Sequence, residues 1–414
     1  MNGAAPDKER PIISIISKQR MAGALNGSSA YLIAIAQSLG DAGFDVELIQ
    51  PSPTIAGRIP FMTMRPEMSV FSAHKVRGAR HIARTLVFAN PSVWFRAVCG
   101  VLARLSQKLP FKALHLADKQ APYAIATPWL DEDRAFLRSS ISPDTRAIIA
   151  DYMFCAECFA EAPRPTPTAI VMHDLFHARA GGDKDSVALV SREEEIAALS
   201  KAGTVFAIQQ DEQGFLEQNV PATHPILVPM PAFPVEKPQV GQTDQLLFIG
   251  SNTAPNVEGL RDFAESTWPL VLARRPNARL KVAGTMNRAF TNPDYRNVSF
   301  LGIVDDLAPL YRDAGVVISP LTFGSGLKIK LVEAMAQGKA MVVSPVTLQG
   351  VETVCSPGVQ CTSSPDQTAD AICDLMEDEA ARTDLAAKAL SISKDHFSAE
   401  AVHADLREWA KNLL

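Results

Sequence analysis

Short β-branched apolar runs alternate with amphipathic stretches along almost the whole chain. Pro11 to Ser17 is such a run, and it opens into a polar loop, Lys18 to Gly27, that carries Gly23 and Gly27. Ser28 to Leu39 then sets Tyr31, Leu32, Ile35 and Leu39 on one helical face. Gly40 and Gly43 close that helix, and Asp45 to Gln50 reads as the next strand. Strand, loop, helix and strand in this order open a Rossmann-like half. Further strands are expected over 147–150, 168–172 and 204–208. The stretch from Thr223 to Pro238 contains Pro225, Pro229, Pro231, Pro234 and Pro238. Proline removes a backbone donor and fixes φ, so neither a helix nor a central strand runs through it. It reads as a linker. A second strand series follows at 245–250, 279–283, 298–301, 315–319 and 340–344, with helical patterns between. The fold class is therefore α/β with two Rossmann-like domains, 1–224 and 244–390, joined by a proline-rich linker, 225–243.

Composition narrows the function classes. The 414 residues are 47% hydrophobic with a net charge of −5. The sizeable core that this permits suits a globular protein, and the charge argues against a nucleic-acid partner. No apolar run reaches the ~18 residues of a membrane span. The polar start, Met1 to Arg10, lacks the apolar centre of a signal peptide, so a cytoplasmic location is expected. Six cysteines include Cys155-Ala156-Glu157-Cys158, but no second pair completes a zinc set, and buried reduced thiols are the expectation. Asp131-Glu132-Asp133 has the outline of a metal-binding triplet and reads as a solvated acidic turn.

Charge is uneven along the chain. No acidic residue lies between Glu67 and Asp118, whereas Lys75, Arg77, Arg80, Arg84, Arg96, Arg104, Lys108 and Lys112 do. Apolar and aromatic residues are interleaved with them. The pattern predicts two basic amphipathic helices, suited to an anionic membrane surface or an anionic acceptor, each near-surface cation adding ~1 kcal/mol. A peripheral position at the inner face of the membrane follows as an expectation.

The densest chemistry lies between Ser319 and Gly338. A strand end leads into Phe323-Gly324-Ser325-Gly326-Leu327, and a helix begins near Lys328-Ile329-Lys330. The positive end of a helix dipole favours anions, so lysines there suit an arriving anion. Free amides, a glycine loop and lysines together describe a diphosphate site. Lys330 and Glu333, three apart, share a face. The lysine suits a phosphate, at ~4 kcal/mol for ~4 Å in an effective dielectric of ~20 before desolvation. The carboxylate can accept from two ribose hydroxyls at ~1.5–3 kcal/mol each.

Together with Phe248-Ile249-Gly250-Ser251, Val282-Ala283-Gly284, Leu301-Gly302-Ile303-Val304-Asp305-Asp306-Leu307 and Glu333-Ala334-Met335-Ala336-Gln337-Gly338, these marks resemble a retaining GT-B glycosyltransferase of family 4 (glycosyl transferases group 1) over roughly 245–352. The loop is of the small-residue G-S-G-x-x-x-K form. The resemblance implies two Rossmann-like domains facing a cleft, with a helix over 391–414 returning to the N-terminal, acceptor-binding domain. It implies transfer of a sugar, with retention, from a UDP- or GDP-linked donor to a glycan or lipid-linked acceptor, as in surface polysaccharide or glycolipid synthesis. It implies no metal and no cofactor beyond the donor. Lys330 would meet the donor diphosphate and Glu333 the ribose. Gly324, Ser325, Gly326, Leu327 and Lys328 would surround the pyrophosphate and sugar. Gly250, Ser251, Gly302 and Asp306 would line the donor site. Gly23 and Gly27 would form the acceptor or phosphate loop, and His173, at a strand end, would face the donor sugar. Asp151 also ends a strand and is expected to line the cleft.

Two departures are visible. Ser325 stands where the family has a glutamate that contacts sugar hydroxyls, and Ser251-Asn252 stand where it has an arginine. They lend weight to a non-catalytic nucleotide-sugar-binding assembly protein at the membrane, and a GT-B nucleotide-sugar epimerase, which needs no acceptor, is a second enzyme reading.

Overall fold

The computed structural model describes residues 10–24, 27–52, 60–89, 91, 93–95, 97, 98, 124–177, 190–290, 295–304, 306–324 and 328–414. The chain divides into two compact units, Met1–Pro229 with His403–Leu414, and Met230–Val402. The change back to the first unit thus comes at His403, later than 391.

The first unit is built on β1 (Ile12–Ile16), β2 (Asp45–Gln50), β3 (Phe61–Thr63), β4 (Ala73–Val76), β5 (Ala79–Ile82), β6 (Thr85–Phe88), β7 (Thr145–Asp151), β8 (Thr168–Val171), β9 (Thr204–Ala207) and β10 (His224–Leu227). Seven of these form one sheet in the order β10-β9-β8-β7-β1-β2-β4, with every pair parallel. The inner strands β1, β8 and β9 and the centre of β7 are mostly apolar, as strands covered on both faces are, whereas β2 and β4 toward one edge carry more polar residues. The helix Gly27–Asp41 buries Tyr31, Leu32, Ile35 and Leu39, the expected face. β10 runs through the start of the expected linker, and it tolerates Pro225 because it lies at the sheet edge.

The expectation of basic helices over 67–118 is corrected for its first part. Residues 73–88 are three strands, and β3, β6 and β5 make a separate antiparallel sheet. Gly78 at φ 70° and Ala83 at φ 51° turn the chain, which a helix interior could not accommodate. The described residues from 91 to 98 are helical. Arg96, Arg104 and Lys108 lie outside the described residues.

The second unit holds β11 (Gln242–Ile249), β12 (Arg279–Ala283), β13 (Val298–Gly302), β14 (Ala314–Ser319), β15 (Ala340–Val343) and β16 (Gln360–Cys361). They form an all-parallel sheet, β13-β12-β11-β14-β15-β16. The order runs outward in both directions from the pair β11 and β14. In such sheets a ligand crevice opens beyond the carboxyl ends of the strands at this reversal. The corresponding reversal in the first unit lies between β1 and β7.

Candidate functional site

In the second unit three glycines end adjacent strands. Gly250 follows β11, Gly284 follows β12 and Gly302 closes β13. Gly284 (φ 110°) donates its N–H to the Gly302 carbonyl at 2.7 Å, and Gly250 donates to Ala283 at 3.0 Å. A Cβ on Gly284 would lie 2.0 Å from the Gly250 carbonyl oxygen. Side chains are therefore excluded where these strand ends meet, and bare backbone is left to line the crevice. Asp306 accepts from the Ala308 N–H at 2.9 Å and so starts the helix Ala308–Asp313. Ser251 Oγ is within 3.2 Å of the Asn256 side-chain amide.

On the other side of the reversal, β14 runs into Pro320 and the glycine loop. Gly324 holds φ 134°. Ser325, Gly326 and Leu327 lie outside the described residues. Lys328 occupies the N-cap position of the helix Ile329–Ala336, so of the two lysines only Lys330 is in its first turn. Both line a cavity of about 220 Å³ with Phe248, Asn256, Tyr311 and Ser319. Burial pulls the Lys328 ammonium below its usual value. Lys330 Nζ donates to Glu333 Oε2 at 2.5 Å. Both partners are partly exposed, so this i,i+3 pair contributes only about 0.2–0.5 kcal/mol and a phosphate can displace it. Tyr311, 2% exposed, is buried with its hydroxyl toward the Glu333 carboxylate. Burial, then the Glu333 charge, pushes the phenol well above its ordinary range, so it remains an O–H donor. Nothing in the sequence pattern singles out Tyr311, which reads as one more apolar position on its helix.

The first unit assembles a second cluster at its own reversal. Asp151, fully buried at the end of β7, accepts from Ser17 Oγ (2.6 Å) and Gln19 Nε2 (2.7 Å), both beyond β1. Its other oxygen lies 2.7 Å from His173 Nε2, beyond β8. The imidazole is stacked on Tyr152 at 3.9 Å and meets the edge of Tyr31 at 5.4 Å. Tyr152 holds φ 68° and ψ 152°, a region used almost only by glycine, at a cost of about 1–3 kcal/mol. Its hydroxyl donates to Ser28 Oγ at 2.6 Å. His173 is thus held on three sides. The groups around this pair, Ser17 and Gln19 on Asp151 and Tyr31 and Tyr152 on His173, have no motif that sequence reading could have used. His177 pairs separately with buried Glu195 at 2.6 Å.

Gly23 (φ 137°) packs on the Arg65 side chain, where a Cβ would come within 2.7 Å, and Gly27 begins its helix with open space around it. Arg77 donates to buried Asp133 at 2.6 Å and is not part of a free basic patch; Arg80 and Arg84 are exposed. The same contact corrects the reading of residues 131–133 as a solvated turn. Asp133 also accepts from the Leu130 N–H at 3.1 Å, capping the helix Asp131–Ser140. Cys155 and Cys158 are free and buried, and burial raises both thiols, Cys155 to about 12. Among the described residues no group of three or more His, Cys, Asp or Glu is placed to hold a metal ion.

Residues 243–378 match the family model for glycosyl transferases group 1. That span contains the whole of the site in the second unit, from Gly250 to Glu333. Among solved structures, sucrose-phosphate synthase from Thermosynechococcus elongatus aligns over 98% of this chain and 99% of its own, at 15% identity and a TM-score of 0.57. TarM of S. aureus aligns over 97% and 98%, at 11% identity and 0.61. Anabaena HepE, solved with UDP and glucose, aligns over 97% and 100%, at 15% identity and 0.54. These likenesses show the fold: two parallel-sheet Rossmann-like domains, as in GT-B glycosyltransferase structures. No curated protein matches the sequence.

Proposed function

We propose that the protein is a retaining, metal-independent GT-B glycosyltransferase of family 4. It moves a sugar from a nucleotide-diphospho-sugar to a glycan or lipid-linked acceptor, as in surface polysaccharide or glycolipid synthesis. The observation that carries this reading is the convergence of Lys328 and Lys330 on one cavity at the β11–β14 reversal, with Glu333 paired to Lys330 beside it, inside the segment that matches the group 1 family model. Lys330 exchanges Glu333 for the donor diphosphate, and the freed carboxylate oxygen takes a ribose hydroxyl. As the glycosidic bond to the diphosphate breaks, charge builds on the departing oxygen and an oxocarbenium-like centre forms. Lys330, Lys328 and the glycine-loop amides stabilise that charge, the task a divalent ion performs elsewhere. His173, with its Nε2 toward Asp151, steadies the donor sugar, and the acceptor hydroxyl attacks from the face the diphosphate leaves.

The titles of HepE (UDP-glucose) and of the pneumococcal O-GlcNAc transferase (UDP and GlcNAc) make UDP-sugars the first donors to test. A panel of UDP- and GDP-sugars, assayed for nucleotide release with and without glycan acceptors, checks the proposal. Release is expected with EDTA present, and Lys330→Ala is expected to lower turnover by about 10². Wild-type turnover in that variant, or binding of donor with no release under any condition, would refute it. Isomerisation of the donor without acceptor would assign an epimerase instead.

A further inference from the structure

The small sheet β3-β6-β5 has two unlike faces. Met62 lies opposite Leu86, and both are buried. Side chains alternate along a strand, so their neighbours point the other way. Phe61, Val87 and Arg80 make one cross-strand row on that outer face, and Thr63, Thr85 and Ile82 make the next. Phe61 is 51% exposed and Ile82 63%. Arg80 is exposed on the same face and Arg84 in the turn beside it. Trp94 is fastened to the end of β6 through its indole N–H, which donates to the Phe88 carbonyl at 2.7 Å. Its ring and that of Phe95 are exposed.

The charges around this sheet divide into two kinds. Lys75 and Arg77, on the parallel-sheet side, are neutralised by Glu47 and Asp133. Arg80 and Arg84 have no ion-pair partner among the described residues, and the sequence has no carboxylate between Glu67 and Asp118 to supply one. A symmetric contact with a second copy would set these arginines against each other. A surface rich in phosphate with apolar depth beneath it satisfies both the cations and the Phe61 and Ile82 side chains.

We propose that this outer face docks on an anionic lipid bilayer, with Phe61 and Ile82 entering the headgroup layer and Arg80 and Arg84 meeting lipid phosphates. The full chain is to be sedimented with phosphatidylcholine vesicles, with and without phosphatidylglycerol. Salt-sensitive partition is expected onto the vesicles containing phosphatidylglycerol alone. The pair Arg80→Glu and Arg84→Glu, and separately the pair Phe61→Ser and Ile82→Ser, should each lower it at least about fivefold, with circular dichroism unchanged. The proposal is overturned by three outcomes: wild-type protein that stays in the supernatant, partition that neither pair alters, or a solution dimer that Ile82→Ser dissociates.

Discussion

Glu333 is a carboxylate with two dissimilar partners. Lys330 reaches it from a partly exposed stem, whereas Tyr311 reaches it from the core. The exposed partner can leave for a diphosphate; the buried one cannot. Under the proposed function, Tyr311 is therefore the residue that keeps the carboxylate aimed at the ribose once Lys330 has moved. A hydrogen bond to a charged group contributes about 1.5–3 kcal/mol. Tyr311→Phe is expected to weaken UDP binding roughly tenfold and to lower the preference for UDP over its 2′-deoxy counterpart, measured by calorimetry. An unchanged preference would mean that the tyrosine is only packing. The sequence exposed Lys330 and Glu333 because glycines announce them, and it hid Tyr311 because its partner lies on another helix. His173 was legible as a strand-end residue, but Tyr152, which has a strained backbone and stacks its ring on that histidine, was not.

At the scale of elements, the apolar runs made the parallel strands readable, because strands buried on both faces carry little but apolar residues. The stretch 73–88 was misread as helical because the spacing of its cations said nothing about the left-handed turns at Gly78 and Ala83 that fold it into strands. The C-terminal helix Ala404–Lys411 was readable as an element, but its attachment was not. It is fastened within the first unit by Trp409, which donates to Thr204 Oγ1 at 3.2 Å and meets the Phe206 ring edge-on. His403 anchors its start: Nδ1 accepts from Ser38 at 2.7 Å, and Nε2 donates to the Pro229 carbonyl at 2.9 Å. Both bonds suit the neutral ring, and burial lowers its pKa to about 4. Between about 4 and 6.5 the unfolded chain binds a proton that the folded one refuses. The stability is present above the unfolded value and is lost as pH falls through that window, by up to about 3 kcal/mol. Amide protection of residues 404–411, corrected for intrinsic exchange, should fall between about pH 7 and about pH 5 and stay flat in His403→Gln. Equal pH dependence in both proteins would assign the loss to another group, such as His74, which burial also lowers to about 4.

On the scale of the molecule, the two units have separate hydrophobic cores. One runs through Ile16, Ile148, Ile170 and Val205, and the other unit packs both faces of its sheet around residues such as Leu246, Phe248, Val316, Leu247 and Met341. Lys330, Glu333, Tyr311 and the strand-end glycines all belong to the second unit. A nucleoside diphosphate held by these groups binds that unit when folded and not when unfolded. Binding of this kind stabilises by about 2.7 kcal/mol at a ligand concentration of about 100 Kd. Calorimetry should therefore resolve a transition that UDP or GDP moves upward and one that it leaves in place. Limited proteolysis with mass spectrometry should place the protected cleavage sites within 230–402. Lys330→Ala should keep both baseline transitions, because its side chain is partly exposed and its pair with Glu333 contributes little, yet lose the ligand shift. A shift that survives in Lys330→Ala, or protection that appears in the first unit alone, would move the diphosphate site away from the β11–β14 reversal.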